Sequence, residues 1–266
     1  YWRSRKPWSA AEGFEFRGDR GSKHLMPGNS WTYGRFFGDT KGELYYSSRV
    51  RAFWAKDFKI PSARQGAMAL GLYRYDVDKE TWRAIGGHPD TDPKNTASKH
   101  RVLFWARSGR ADTGGNYQVY QSGFCFDQSN RLHLAVHAIV GPENQSRLLY
   151  ACSYDGGSTW RRADGTAIPG LPLRGEDGEA NQAHTIAEGG EGIVRVVADP
   201  AGTPAVNQGH SYKGSYVWDG ARWKFRTDVP GHRGYARPDG SIVFTSAWAV
   251  WDAAGFPKPS TMTVTE

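Results

Sequence analysis

Tyr33 and Arg49 stand sixteen residues apart, on either side of a short polar turn. Tyr33 opens an aromatic stretch that runs to Asp39, Thr40-Lys41-Gly42 reads as the turn, and residues 43–49 return as a second β-rich stretch. A hairpin pairing Asp39 with Glu43 brings Tyr33 and Arg49 to the same open end. There the guanidinium is a permanent fork for an anion, and the phenol is a hydroxyl that can give or take a proton. Residues 122–127, the turn Gln128-Ser129-Asn130 and residues 131–137 repeat the arrangement, so the same count puts His137 where Arg49 stands. His137 is therefore a second candidate for lining a cleft.

Other residues add binding chemistry. Trp105, Arg107 and Arg110 lie in a long insertion over 88–117, where an indole stacks on a ring and a guanidinium takes a sulfate or carboxylate. Asn181, Gln182 and His184 begin what reads as a further hairpin, and His210, Tyr212 and Lys213 open the strand after it. Cys125 faces His133 across the second hairpin, with His137 further along the same face. Thiolate and imidazole are zinc donors, so Cys125, His133 and His137 form a candidate structural metal set, with His184 or His100 as a fourth ligand. Core packing, or a pairing of Cys125 with Cys152, accounts for the cysteines equally well.

The elements that must hold these residues are short strands. Ser153-Tyr154-Asp155-Gly156-Gly157-Ser158-Thr159-Trp160 matches the Asp-box pattern S-x-D-G-G-x-T-W of sialidase-type β-propellers. Its carboxylate accepts turn N–H groups, its glycines allow positive φ, and its Trp packs between sheets. Weaker strand–turn–Trp units occupy 73–82 and 216–223. Before these outer units stand inner hairpins, at 33–39 with 43–49, 122–127 with 131–137, 182–188 with 192–199, and 234–238 with 241–247. The turns of the last two are read as Gly189-Gly190-Glu191 and Asp239-Gly240. Inner plus outer hairpin makes a four-stranded antiparallel blade. The expected fold is all-β: one β-propeller domain over 1–266.

Composition agrees. Of 266 residues, 33 are Gly and 14 % are aromatic, a β-rich, turn-rich balance. The charge of +7 suits an anionic partner. No basic run or nucleic-acid motif accompanies it, and no apolar run approaches the length of a membrane span. A charged, aromatic groove for an acidic polysaccharide explains the same balance.

The stretches Thr32-Tyr33-Gly34-Arg35-Phe36-Phe37-Gly38-Asp39 and Gly42-Glu43-Leu44-Tyr45-Tyr46-Ser47-Ser48-Arg49 resemble the BNR-repeat family that contains bacterial ulvan lyases. The resemblance continues through 124–137, 149–161 and 214–226. It implies a seven-bladed propeller, which needs well over about 300 residues, so N-terminal blades are expected to precede Tyr1. It also implies a catalytic Tyr and an Arg sixteen residues later, the spacing of Tyr33 and Arg49. The implied reaction is β-elimination at a uronic acid. Arg49 would neutralise the carboxylate, and Tyr33 would protonate the departing O4 and serve as base. The family's two upstream His residues have no counterpart here, and His24 lies too close to Tyr33 to replace them. No cofactor is implied for catalysis, though a structural Zn or Ca is. The expected partner is a sulfated, anionic polysaccharide, met by a secreted, periplasmic or cell-surface monomer. A glycoside hydrolase and a non-catalytic carbohydrate-binding propeller are the competing readings.

Overall fold

The structure is a computed structural model that describes residues 2–6, 9–16, 32–51, 68–87, 101–106, 118–140, 145–190, 192–208, 214–229, 234–236, 242–244 and 250–251. All its named elements are strands. Among the described residues no helix is long and apolar enough to cross a membrane.

β1 (Trp2–Lys6) and β2 (Ser9–Phe16) form an antiparallel pair. The first large sheet contains β3 (Thr32–Gly38), β4 (Leu44–Arg51), β5 (Met68–Asp76) and β6 (Thr81–Ile85), each antiparallel to the one before. The short β7 (Phe104–Trp105) also pairs with β5. The second large sheet runs through β8 (Gln118–Phe126), β9 (Leu132–Val140), β10 (Gln145–Ser153), β11 (Trp160–Arg161) and β12 (Ala167–Ile168). The chain then returns as β13 (Leu173–Arg174), parallel to β7 in the first sheet, and as β14 (His184–Glu188), antiparallel to β10 in the second. A third sheet is a four-stranded meander of β15 (Val194–Ala198), β16 (Pro204–Gln208), β17 (Ser215–Trp218) and β18 (Trp223–Arg226). β19 (Gly234–Ala236), β20 (Ile242–Phe244) and β21 (Val250–Trp251) make a last antiparallel sheet.

The expected hairpins are present with one exception. Residues 182–188 do not pair with 192–199. β14 pairs with β10, where Glu188 accepts a hydrogen bond from the buried Arg147 at 3.2 Å, and β15 pairs with β16 instead. The turn of the third inner hairpin is thus Asp199-Pro200-Ala201-Gly202-Thr203. It repeats the turns that begin at Asp39 and Asp127. In each, the Asp Oδ1 accepts the N–H four residues later, from Glu43 (2.7 Å), Arg131 (2.8 Å) and Thr203 (2.7 Å). In each, the residue three after the Asp has positive φ: Gly42, Asn130 and Gly202. Successive turns dock on one another. Asn130 Oδ1 accepts from Thr40 N and Oγ1, and its Nδ2 donates to Asp39. Gly202 lies so close to Arg131 and Asp127 that a Cβ there would collide with both.

Apolar faces bind the sheets together. Tyr45, Leu70, Leu72, Phe104, Leu132, Leu134, Leu149 and Trp160 form the core between the first two large sheets. Val194, Val196, Val206, Leu148 and Tyr150 join the second to the third. The Asp-box seals the first junction. Asp155 Oδ1 accepts from Ser158 N and Thr159 N, and the Trp160 indole donates to Gly157 O at 2.8 Å. Gly157 packs on Leu72 and Ile85 of the neighbouring sheet. Gly123 lets β8 approach β15, since a Cβ would stand 2.8 Å from Arg195 Cα.

Candidate active site

With the docked turns gathered at one end of the inner hairpins, Tyr33 and Arg49 occupy the other. Thr32 pairs with Arg49 and Arg35 with Ser47, so three steps along β3 match two along β4. The extra residue is a β-bulge, a device that re-aims a side chain. Tyr33 lies within it at φ 56°, a left-handed conformation that costs a non-glycine residue on the order of 1–3 kcal/mol. The outcome is a Tyr ring 46 % exposed at the strand end, with the Arg49 guanidinium carbon 4.8 Å from its centroid.

The second hairpin does the same one pair further from its turn. Val119 pairs with Ala138 and Ser122 with Val136, so the bulge falls at Tyr120 and Gln121. Tyr120 stacks on Tyr33, with centroids 6.3 Å apart and an interplanar angle of 26°. Arg49 lies 6.0 Å from the Tyr120 ring, and the His137 ring is 5.9 Å from it. Tyr33, Arg49, Tyr120 and His137 are therefore contiguous. His137 is only 4 % exposed, and its Nε2 bonds Ser146 Oγ, whose hydroxyl donates to Gly190 O. Ser146 must then accept the Nε2 proton. Burial lowers the His137 pKa, against a raising contribution from the Gly192 backbone, so the ring is neutral near pH 7.

Sequence reasoning missed Tyr120, although a signal exists. Tyr120 precedes His137 by seventeen residues much as Tyr33 precedes Arg49 by sixteen. The displaced bulge accounts for the extra residue.

The remaining expected contacts scatter. Trp105 is 3 % exposed, with the Arg174 guanidinium 5.0 Å from its ring, and belongs to a core cluster rather than to a stacking surface. Asn181 donates to Pro172 O, and Gln182 donates to Asp177 and Thr185. His184 accepts from Ala163 N and meets Trp218 edge-on, at the join of the second and third sheets. None of these approaches the Tyr33–Arg49 pair through a described contact. Arg107, Arg110, His210, Tyr212, Lys213, His24 and His100 lie outside the described residues.

Cys125, His133 and His137 do not fit a metal. Cys125 and His133 pair in register, but both His133 nitrogens are engaged, Nδ1 by the Tyr150 hydroxyl at 2.7 Å and Nε2 by Asp127 Oδ2 at 3.2 Å. His137 is four residues along the same strand, about 13 Å away, whereas zinc ligands must all reach within about 2.3 Å of one ion. Burial pushes both cysteine thiols up, so neither is a ready thiolate. No group of three or more His, Cys, Asp or Glu is placed to hold a metal among the described residues.

A cavity of about 340 Å³ lies between the inner strands, bounded by Arg35, Phe36, Gly123, Phe124 and Arg195 to Val197. It continues the inner-strand surface away from Tyr33.

Comparison with known proteins finds that a model described as a BNR repeat-containing family member matches residues 1–228. No curated protein matches. Among solved structures, an ulvan lyase of a new polysaccharide lyase family, bound to a (1-4)-linked glucuronate and 3-sulfated rhamnose unit, superposes with a TM-score of 0.53 at 15 % identity. The match covers 94 % of this chain and 57 % of the lyase, so the chain spans little more than half of that protein's length. Another polysaccharide lyase gives a TM-score of 0.46 at 14 % identity, over 80 % of this chain and 44 % of its own. A fucose lectin from Kordia zhangzhouensis gives 0.33 at 13 % identity, over 74 % of this chain and 99 % of its own. The likeness to the ulvan lyase is one of fold: all-β and propeller-like.

Proposed function

The chain belongs to the BNR repeat-containing family, and on that premise we propose that it is part of a β-propeller polysaccharide lyase that cleaves ulvan or a related uronate-containing polymer by β-elimination. The three large sheets would be blades of a ring that is seven-bladed when complete, working on a polymer outside the cell. The observation that carries this reading is the contact of Tyr33 with Arg49 at an exposed, bulged strand end.

In this reading Arg49 grips the uronate carboxylate with its paired N–H groups. Neutralising that charge stabilises the enolate character that builds up as the C5 proton leaves. Tyr33, as phenolate, takes the C5 proton. The C5–H electron pair becomes the C4=C5 double bond, the C4–O4 bond breaks, and O4 leaves with the proton returned by the Tyr33 phenol. The tyrosine ends as it began, and the products are an unsaturated uronate and a free sugar hydroxyl. Tyr120 flanks the guanidinium and His137 backs the Tyr120 ring; both would hold this arrangement rather than react.

The test is the ultraviolet absorbance of the unsaturated uronate when the full-length protein meets ulvan, alongside Tyr33→Phe and Arg49→Ala. A rise in the parent that both substitutions abolish supports the lyase and both roles. No rise on ulvan or on other uronate polymers, with binding retained, leaves a carbohydrate-binding propeller instead.

A further inference from the structure

A cavity of about 220 Å³ opens where the first sheet meets the Asp-box of the second, lined by Arg74, Arg83 and Arg101 and by Asp155 to Ser158. Arg74 on β5 and Arg83 on β6 are direct cross-strand partners. Like charges placed opposite one another on paired strands are destabilising. They extend the same face as the paired Leu72 and Ile85, which pack on Gly157, so both guanidiniums rise at the mouth of the junction. Arg101 arrives from the segment whose next residue, Val102, bridges to Gly87. Three cations from three stretches of chain thus converge on one cavity.

The acids nearby do not cancel them. The Asp155 carboxylate is consumed within its own turn: Oδ1 accepts from Ser153 Oγ, Ser158 N and Thr159 N, and Oδ2 accepts from Thr159 Oγ1. Glu43 takes one arm of Arg74, at 3.3 Å. The side chains of Arg83 and Arg101 make no ion pair or hydrogen bond with other described residues. The site is also distinct from the Tyr33–Arg49 pair. Arg74 pairs with Tyr45 and Arg49 with Leu70, so the two guanidiniums start from positions four residues, about 13 Å, apart along the strands.

We propose that this cavity binds an oxyanion with three terminal oxygens, and that its ligand is a sulfate ester on a polysaccharide chain. Three guanidiniums approaching from three stretches of chain match a tetrahedral group better than a planar carboxylate, which one Arg fork satisfies alone. The site anchors the polymer at the rim without taking part in bond cleavage; the oxyanion site stands on its own, and the polysaccharide as its carrier rests on the proposed function.

The experiment uses the full-length protein and an Arg83→Gln/Arg101→Gln double variant, with Arg83→Lys/Arg101→Lys to preserve charge. Binding is measured by calorimetry on ulvan and on chemically desulfated ulvan, in a Tyr33→Phe background so that nothing is cleaved. The Gln variant is expected to bind sulfated polymer about tenfold or more weakly and desulfated polymer as the parent does, with the Lys variant in between. In thermal unfolding, inorganic sulfate should raise the melting temperature of the parent more than that of the Gln variant. Without an anion, the Gln variant should melt no lower than the parent, because a repulsion has been removed. Equal affinity of parent and Gln variant for sulfated ulvan would overturn the proposal, as would equal parent affinity for the two polymers. Binding of inorganic sulfate or phosphate at the site with no effect on polymer affinity would refute the polysaccharide as its ligand. A turnover assay with Arg49→Ala separates the two sites, since that change should abolish cleavage and leave the sulfate preference intact.

Discussion

The Arg49 guanidinium lies against a stacked pair of phenols, 4.8 Å from the Tyr33 ring centroid and 6.0 Å from that of Tyr120. Contact with both rings restrains where this planar cation sits. In the proposed reaction that restraint would help the guanidinium present two parallel N–H groups to a carboxylate.

Tyr33→Phe keeps the ring and its contact with Arg49 but removes the oxygen that carries the proton from C5 to O4 in the proposed mechanism. Its kcat on ulvan should fall by about 10²- to 10⁴-fold with KM little changed. Arg49→Lys keeps the charge and loses the fork, so it should retain more activity than Arg49→Ala but far less than the parent. Steady-state kinetics on one polymer preparation decides this. A Tyr33→Phe enzyme with near-parental kcat would remove Tyr33 from the chemistry.

The backbone at Tyr33 makes a separate prediction about stability. In an ordinary strand, Gly is about 0.5–1 kcal/mol worse than Ala. At φ 56° the order should invert, with Tyr33→Gly more stable than Tyr33→Ala by about 1 kcal/mol. Urea unfolding of the two variants measures the difference. The usual order would mean that the bulge relaxes when the ring is removed, and that the ring holds the conformation.

Most hairpins could be read from sequence because each has its own turn chemistry. Asp39 and Asp127 each tie down the residue four positions later, and the Asp-box Asp155 ties down Ser158 and Thr159. The third inner hairpin was misplaced because Gly189-Gly190 imitates a turn, whereas Asp199 carries the same side-chain bond to Thr203 without an obvious glycine pair. What moved β14 was long-range: pairing with β10 and the Arg147–Glu188 bond, which no local pattern encodes. Trp105 looked like a surface residue in an insertion, but β7 pairs with β5 and buries it. The metal set failed on geometry. Residues four apart are neighbours on a helix and distant on a strand.

Tyr120 should matter by position. Its ring stacks on Tyr33, lies beside Arg49 and meets buried His137. Tyr120→Phe retains the rings in contact and should keep kcat/KM within about threefold of the parent. Tyr120→Ala frees the guanidinium and should cost roughly tenfold, mostly in kcat, since a misplaced group lowers the rate more than it weakens binding. Equal losses in the two variants would mean that the Tyr120 hydroxyl, rather than its ring, acts on substrate.

The buried chain Tyr150–His133–Asp127 should make the fold acid-sensitive in two stages. Tyr150 Oη donates to His133 Nδ1, and His133 Nε2 donates to Asp127 Oδ2. Burial lowers the His133 pKa, with Asp127 opposing it and Arg131 adding to it, so the ring is neutral in the folded protein. A depressed folded value means that stability is full above the unfolded histidine pKa, about 6.5, and declines as pH falls below it. Asp127 adds a second stage. Burial raises its pKa, but bonds from His133 and Arg131 prevail and bring it to about 2. Its contribution is present above the unfolded aspartate value, about 3.9, and is lost as pH falls towards 2; it amounts to roughly 2 kcal/mol. Tyr150, raised well above its ordinary value by burial, stays protonated throughout. His133→Gln should therefore be less stable at pH 7 by about 2 kcal/mol, having an imperfectly bonded buried amide. It should also show a flatter stability profile between pH 7 and 5, with a smaller Asp127 stage below pH 4, since Arg131 still bonds that carboxylate while the His133 bond is lost or weakened. Urea midpoints across that range test both parts. A profile parallel to the parent's from pH 7 to 5 would show that His133 is not the group sensing acid.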